Sequence, residues 1–210
     1  DHHVVSASAK DFIDAVEEVI YAIESYDTTT VRASVGNYLV GKYIRQNTDV
    51  KVVFNGDGSD EVCMCYLYNL NAHSDKEFFD ENKKLLREIH AFDVLRSDRS
   101  VASHGLEART PFLDRDFVDF YMSIPIEMKR FSKEKPEKHL LRSAFRDSGL
   151  LPAEVLDRTK CAFSDAVSTQ ENSWHKIVQN HIDTLVSDEE FAKYGPRYSH
   201  CQPVLKESYY

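Results

Sequence analysis

The chain has 210 residues, enough for a domain with a real core. Hydrophobic residues make up 42% and charged residues 29%, a balance that excludes a disordered chain and fits an ordinary globular protein. The formal net charge of -9 disfavours nucleic acid as a partner, but leaves room for a nucleotide held by a few cations and backbone N–H groups. No apolar run approaches membrane-spanning length and no signal-peptide pattern opens the chain, so a cytoplasmic protein without a membrane partner is expected. Cys63, Cys65, Cys161 and Cys201 form no C-x-x-C pair. They are expected to be reduced, mostly buried thiols rather than zinc ligands.

Ser8 can cap a helix running to about Tyr26, with Phe12, Val16, Val19, Ile20 and Ile23 as its apolar stripe. Asp27-Thr28-Thr29-Thr30 breaks that pattern. A second helix is expected from about Arg32 to Arg45, burying Tyr38, Leu39 and Tyr43. After a polar turn, Val50 to Phe54 reads as a buried strand that leads into a loop. Ser74-x-x-Glu77 has the form of a capping box for a helix running through Leu85, Leu86, Ile89 and Phe92. The charged stretch Lys129 to Lys138 reads as a solvated loop. Asp114 opens a helix carrying Phe117, Val118, Phe120 and Tyr121, and Pro136 suits the first turn of another that ends near Gly149. One strand and many helices imply an α/β protein whose sheet is incomplete in this chain.

Three stretches carry candidate chemistry. Asn55-Gly56-Asp57-Gly58-Ser59-Asp60-Glu61 follows the strand directly. Its glycines permit close backbone approach to a ligand, and its carboxylates suit a divalent cation or a proton-accepting role. The plain alternative is a Gly/Asp turn that caps a helix. Gly105 to Asp114 reads as a loop pinned by a Glu107–Arg109 pair, architectural rather than substrate-binding, with Phe112 and Leu113 buried. Arg158-Thr159-Lys160 offers a point charge for polyphosphate, or else a solvated basic patch.

Taken together, the ordered motifs resemble the ATP-using synthetase domain of the asparagine synthetase family. They are V-I-Y-x-I-E-x-Y-D from Val19, T-T-x-R-A-S from Thr29, G-x-G-S-D-E from Gly56 and Y-L-Y from Tyr66. E-A-R-x-P-F-L-D from Glu107, E-K-x-x-L-R from Glu137, L-P from Leu151, and R-x-K with F-S-D from Arg158 to Asp165 complete the set. The resemblance implies a helix-rich part of an adenine-nucleotide α-hydrolase-like (PP-loop ATP pyrophosphatase) α/β domain with a parallel sheet. It also implies amidation of aspartate through a β-aspartyl-adenylate, with Mg-ATP and with ammonia from glutamine supplied by another domain. A homodimer of the full-length enzyme is a further implied partner.

By the same resemblance, Asp60 matches a magnesium- or pyrophosphate-associated carboxylate and Glu61 a neighbouring acid. Lys160 matches a cation that stabilises charge on phosphate. Asp57 stands at a proton-handling position where the family usually has Glu. Asn55, Gly56, Gly58 and Ser59 form the nucleotide-side turn, and Thr29, Thr30 and Arg32 line the substrate site. Residues 1–210 then form a partial synthetase domain, without the upstream phosphate loop S-G-G-x-D-S, the glutaminase half or the end of the C-terminal helix. The expectation is that the chain alone does not make asparagine.

The sequence departs from the family pattern at Asn55, Asp57, Met64, Cys65, Ala166 and Ser168; Met64, Cys65, Ala166 and Ser168 stand where glycine is common. Two alternatives follow: a degenerate, non-catalytic synthetase-like module, and a β-lactam synthetase, which uses the same activation on another acceptor. The T-T-x-R-A-S and F-S-D blocks favour the asparagine synthetase family over the latter.

Overall fold

The structure, a computed structural model, describes residues 2–132, 134–163, 167–168 and 173–210. Ser164, Asp165 and Ala166, part of the F-S-D block and its neighbour, lie outside the described residues. In chain order the elements are α1 (Ala9–Asp14), α2 (Val16–Ile23), α3 (Thr28–Asn47), β1 (Val52–Phe54), α4 (Ser59–Cys63), α5 (Asp75–Glu88), α6 (Asp93–Ala102) and β2 (Glu107–Arg109). There follow α7 (Arg115–Ser123), α8 (Ile126–Lys129), α9 (His139–Arg146), α10 (Ala153–Leu156), α11 (Trp174–Leu185), α12 (Asp188–Tyr194) and α13 (Lys206–Tyr209). They sort into two compact units. One holds Asp1–Lys51, Arg96–Glu107 and Ala162–Tyr210, and the other holds Val52–Leu95 and Ala108–Cys161.

In the first unit, Ser8 caps α1 through a reciprocal box with Asp11. The expected single helix to Tyr26 is two helices. It breaks at Ala15 and ends where Glu24 takes a left-handed φ of 52°. Asp27-Thr28-Thr29-Thr30 is a helix start rather than a gap. Asp27 accepts from Thr30 N–H at 2.7 Å, so α3 begins four residues before Arg32. The core joins Phe12, Val16, Val19, Ile23, Val31 and Val35 to Trp174, Val178 and Ile182 of α11. Trp174 meets Phe12 edge-on at 5.3 Å, and its indole N–H donates to Arg32 O at 3.0 Å.

The second unit corrects more of the expectations. β1 is not buried: Val52 is 45% exposed and Phe54 78%. Its partner is β2, in the stretch expected to be a loop. Glu107 N–H donates to Lys51 O at 2.7 Å and Asn55 N–H to Arg109 O at 3.0 Å. The two pairs advance together along both strands, so the sheet is parallel. The expected long helix through Phe92 stops at Glu88, and Phe92 is exposed, as is Phe120 on α7. Ser74 caps α5 as expected, but the Glu77 carboxylate accepts from His73 N–H at 2.8 Å rather than closing the box on Ser74.

Asp114 caps α7 by accepting from the N–H groups of Asp116 and Phe117. Pro136 precedes α9 instead of lying in its first turn. The stretch from Lys129 is a solvated loop only in part: residues 134–136 are exposed and lie outside any helix or strand, as expected. Lys129 is buried and donates to Tyr121 O at 3.1 Å, while Arg130 pairs with Asp75 at 2.7 Å. Burial of Lys129 lowers its pKa, because the charged form loses hydration. Of the cysteines, Cys63 and Cys65 are buried and Cys161 and Cys201 exposed, so half rather than most of them are interior. No described helix is long and apolar enough to cross a membrane.

Candidate active site around Asp60

The turn after β1 is built for a sharp reversal. Asn55 Oδ1 accepts from Asp57 N–H at 3.1 Å, and Gly58 takes φ 83°, a left-handed value that L side chains avoid. Leu113 packs so closely on Gly58 that a Cβ there would stand 2.3 Å from its Cδ2. Gly58 thus needs both its backbone freedom and its lack of a side chain. The turn feeds α4, which carries Ser59, Asp60 and Glu61.

Two lysines converge on Asp60. Lys138 Nζ lies 2.8 Å from Oδ1 and Lys160 Nζ lies 3.2 Å from Oδ2. Lys138 also donates to Ser59 Oγ at 3.0 Å, and Lys160 donates to Cys65 O at 3.1 Å. Lys138, Asp60 and Lys160 are each between 23% and 29% exposed, which leaves the cluster partly shielded but reachable. One carboxylate against two ammonium groups gives the cluster a net positive charge, so it attracts anions. Lys138 itself adopts a left-handed φ of 57° to reach this position.

Glu61 points the other way, into the interior, and is 4% exposed. Its carboxylate accepts from the Tyr66 hydroxyl, and its backbone carbonyl accepts from Asn82 Nδ2 at 2.6 Å. Burial raises the Glu61 carboxyl above the ordinary carboxylate range, with the Tyr66 hydrogen bond working against that rise. Burial, and then the same bond, push the Tyr66 phenol well up. Asp57 is half-buried, and its Oδ2 is a buried oxygen without a hydrogen-bond partner.

The expected set therefore divides. Asn55, Gly56, Asp57, Gly58, Ser59, Asp60, Glu61 and Lys160 all belong to the second unit, where Asp60 and Lys160 touch. Thr29, Thr30 and Arg32 belong to the first unit, on the opening turn of α3. There Arg32 Nε lies 3.3 Å from the buried Glu207 carboxylate and donates to Thr28 O at 3.2 Å. Met64 and Cys65, which replace expected glycines, point into the core. Met64 packs with Phe78 and Phe131, and Cys65 with Val62 and Tyr121. Met64 nevertheless holds a left-handed φ of 54°, the conformation that favours glycine.

Sequence reasoning missed Lys138, Tyr66 and Asn82 as members of the site. The E-K-x-x-L-R and Y-L-Y blocks were the available signal for Lys138 and Tyr66. Nothing in the sequence singled out Asn82.

A parallel strand pair in a helix-rich chain is consistent with the α/β class, and Asp60 of the charged cluster lies on the helix that follows β1. The Asparagine synthase family model matches residues 1–88 and 81–206, and the chain belongs to that family. It is 49% identical to asparagine synthetase [glutamine-hydrolyzing] of Cricetulus griseus, 50% to that of Gallus gallus and 48% to that of Homo sapiens. Each match covers the whole chain, and the chain spans 37% of the length of each relative.

Proposed function

We propose that this chain supplies the aspartate-activating part of a glutamine-dependent asparagine synthetase, on a PP-loop ATP pyrophosphatase-like α/β fold. The substrates are ATP, aspartate and ammonia derived from glutamine, and the aspartate β-carboxylate is activated as its adenylate. The observation that carries this proposal is the Lys138–Asp60–Lys160 cluster, in a chain similar along its whole length to enzymes of that name. A carboxylate resists attack by ammonia because its leaving group would be oxide. Attack of the carboxylate on the α-phosphorus of ATP forms the adenylate and releases pyrophosphate, whose negative charge the two lysines would meet; AMP is then the better leaving group when ammonia attacks. Asp57 is the candidate proton-handling carboxylate, Glu61 a neighbouring acid, and Thr29, Thr30 and Arg32 the candidate aspartate-side residues. Cytoplasmic location and a homodimer of the longer protein are part of the same proposal.

Mg²⁺ is the implied metal. No group of three or more His, Cys, Asp or Glu side chains among the described residues could hold a metal ion. The residues fit an ion that arrives on the ATP phosphates and needs only one or two carboxylates, because Mg²⁺ keeps most of its waters or phosphate oxygens. Asp60 would hold it in exchange for one of its two lysine pairs, with the unpartnered Asp57 Oδ2 the second oxygen available nearby in sequence. The ion would neutralise charge on the phosphates.

The test is a chimera in which this chain replaces the matching segment of the Gallus gallus enzyme. Aspartate-dependent pyrophosphate release with ammonia is expected, and a fall of about 10²-fold or more in Lys160→Ala. A folded chimera without pyrophosphate release would favour the degenerate, non-catalytic module, the alternative that Asp57 and Met64 motivate.

A further inference from the structure

We propose that Arg142 is a positioning residue that sets both Lys138 and Lys160 against Asp60. Its guanidinium, 18% exposed on the first turn of α9, makes contacts in two directions. Towards Lys138, Nε donates to Glu137 O at 2.9 Å and Nη2 to Glu137 Oε1 at 2.8 Å. Towards Lys160, Nη1 donates to Leu156 O and, at 3.0 Å, to Arg158 O. One rigid planar group thus pins the residue before one lysine and the residue two before the other.

Both lysines need such a support. Lys138 holds a left-handed φ that a non-glycine residue adopts only when its surroundings impose it. Residues 158–162 form neither helix nor strand, so no regular hydrogen-bond ladder fixes where Lys160 emerges. Carbonyl oxygens at Leu156 and Arg158 accept from the fork instead. Lysine at position 142 would keep the charge but lose the fixed fork, and could not satisfy both directions at once. Arg146, one turn further along α9, provides the contrast. It binds the same segment only through the exposed Asp157 side chain, at 2.6 Å.

As a statement about catalysis this inference rests on the activation chemistry proposed above. Its test does not, because it uses no nucleotide. The 210-residue chain is trace-labelled with acetic anhydride, and the reactivity of each lysine is read by peptide mapping. In Arg142→Lys and in Arg142→Gln, Lys138 and Lys160 are expected to gain reactivity by about tenfold or more, the opening that follows loss of charge-assisted hydrogen bonds. Buried Lys129, in the same unit, should keep its wild-type reactivity, and Arg146→Ala should leave Lys138 and Lys160 unchanged. Wild-type reactivity of Lys138 and Lys160 in both Arg142 variants would overturn the inference. So would a parallel rise at Lys129, which would mean general loosening of the unit.

Discussion

The ammonium of Lys160 stands 4.8 Å above the ring centroid of Tyr66, the same ring whose hydroxyl donates to Glu61. Tyr66 therefore separates the positive cluster at Asp60 from the buried acid one residue along α4. Its face favours the cation, and its hydroxyl satisfies the carboxylate.

This arrangement sets a pH dependence. Burial holds the folded pKa of Glu61 above its unfolded value. The stability contributed by the group is then fully present below the unfolded pKa, and is lost as pH rises through the folded pKa. Tyr66→Phe removes the donor that favours the charged form, so the loss should extend to higher pH. Glu61→Gln should flatten it. Urea midpoints between about pH 4 and pH 8 would show this. A shift of the Tyr66→Phe loss toward acid would exclude Tyr66 as the group that stabilises the carboxylate.

Gly58→Ala should cost about 2–5 kcal/mol, the sum of a left-handed backbone penalty and overpacking against Leu113. Adding Leu113→Ala removes the clash but not the backbone strain. The double variant should therefore lose less than the sum of the singles, which chemical denaturation of all three would reveal.

Asn82 is fully buried on α5 and donates to the Glu61 carbonyl. Asn82→Ala leaves that carbonyl with the longer 3.4 Å bond from Met64 N–H and should cost about 1–3 kcal/mol. An exposed asparagine elsewhere on a helix would cost a few tenths at most. A thermal midpoint unchanged in Asn82→Ala would show that the bond does not support α4.

Met64→Gly tests two opposing effects. Relief of the left-handed φ is worth about 1–2 kcal/mol. Loss of a side chain packed among Phe78 and Phe131 costs about 2–5 kcal/mol. The packing loss is larger, so the variant should be less stable than the parent. A gain in the urea midpoint would mean that the glycine backbone preference dominates.

How much of this was legible depends on what kind of interaction decided each feature. The caps at Ser8, Ser74 and Asp114 could be read because a short polar side chain and its N–H partner lie within three residues. Asp27 is the same kind of cap, hidden because three threonines after it look like a break. β2 could not be read. Glu107-Ala108-Arg109 has no β-branched or alternating apolar pattern, and it is a strand only because β1 pairs with it. The clustering of Lys138 with Asp60 joins residues 78 positions apart, and the charge density around Lys138 pointed instead to solvent. Local chemistry was visible in the sequence, whereas long-range pairing showed only through the resemblance of whole motifs.

Trp174 is the sole tryptophan in the chain, and it lies in the unit that lacks Asp60 and Lys160. Its indole is 2% exposed, edge-on to Phe12 and tied to the Arg32 carbonyl, so its emission should be blue-shifted in the folded protein. Intrinsic fluorescence excited at the red edge thus observes only the first unit directly. A denaturation curve followed by this signal and one followed by far-ultraviolet dichroism will coincide only if both units melt together. Any gap between the two curves would measure their thermodynamic independence, without a label or a substitution.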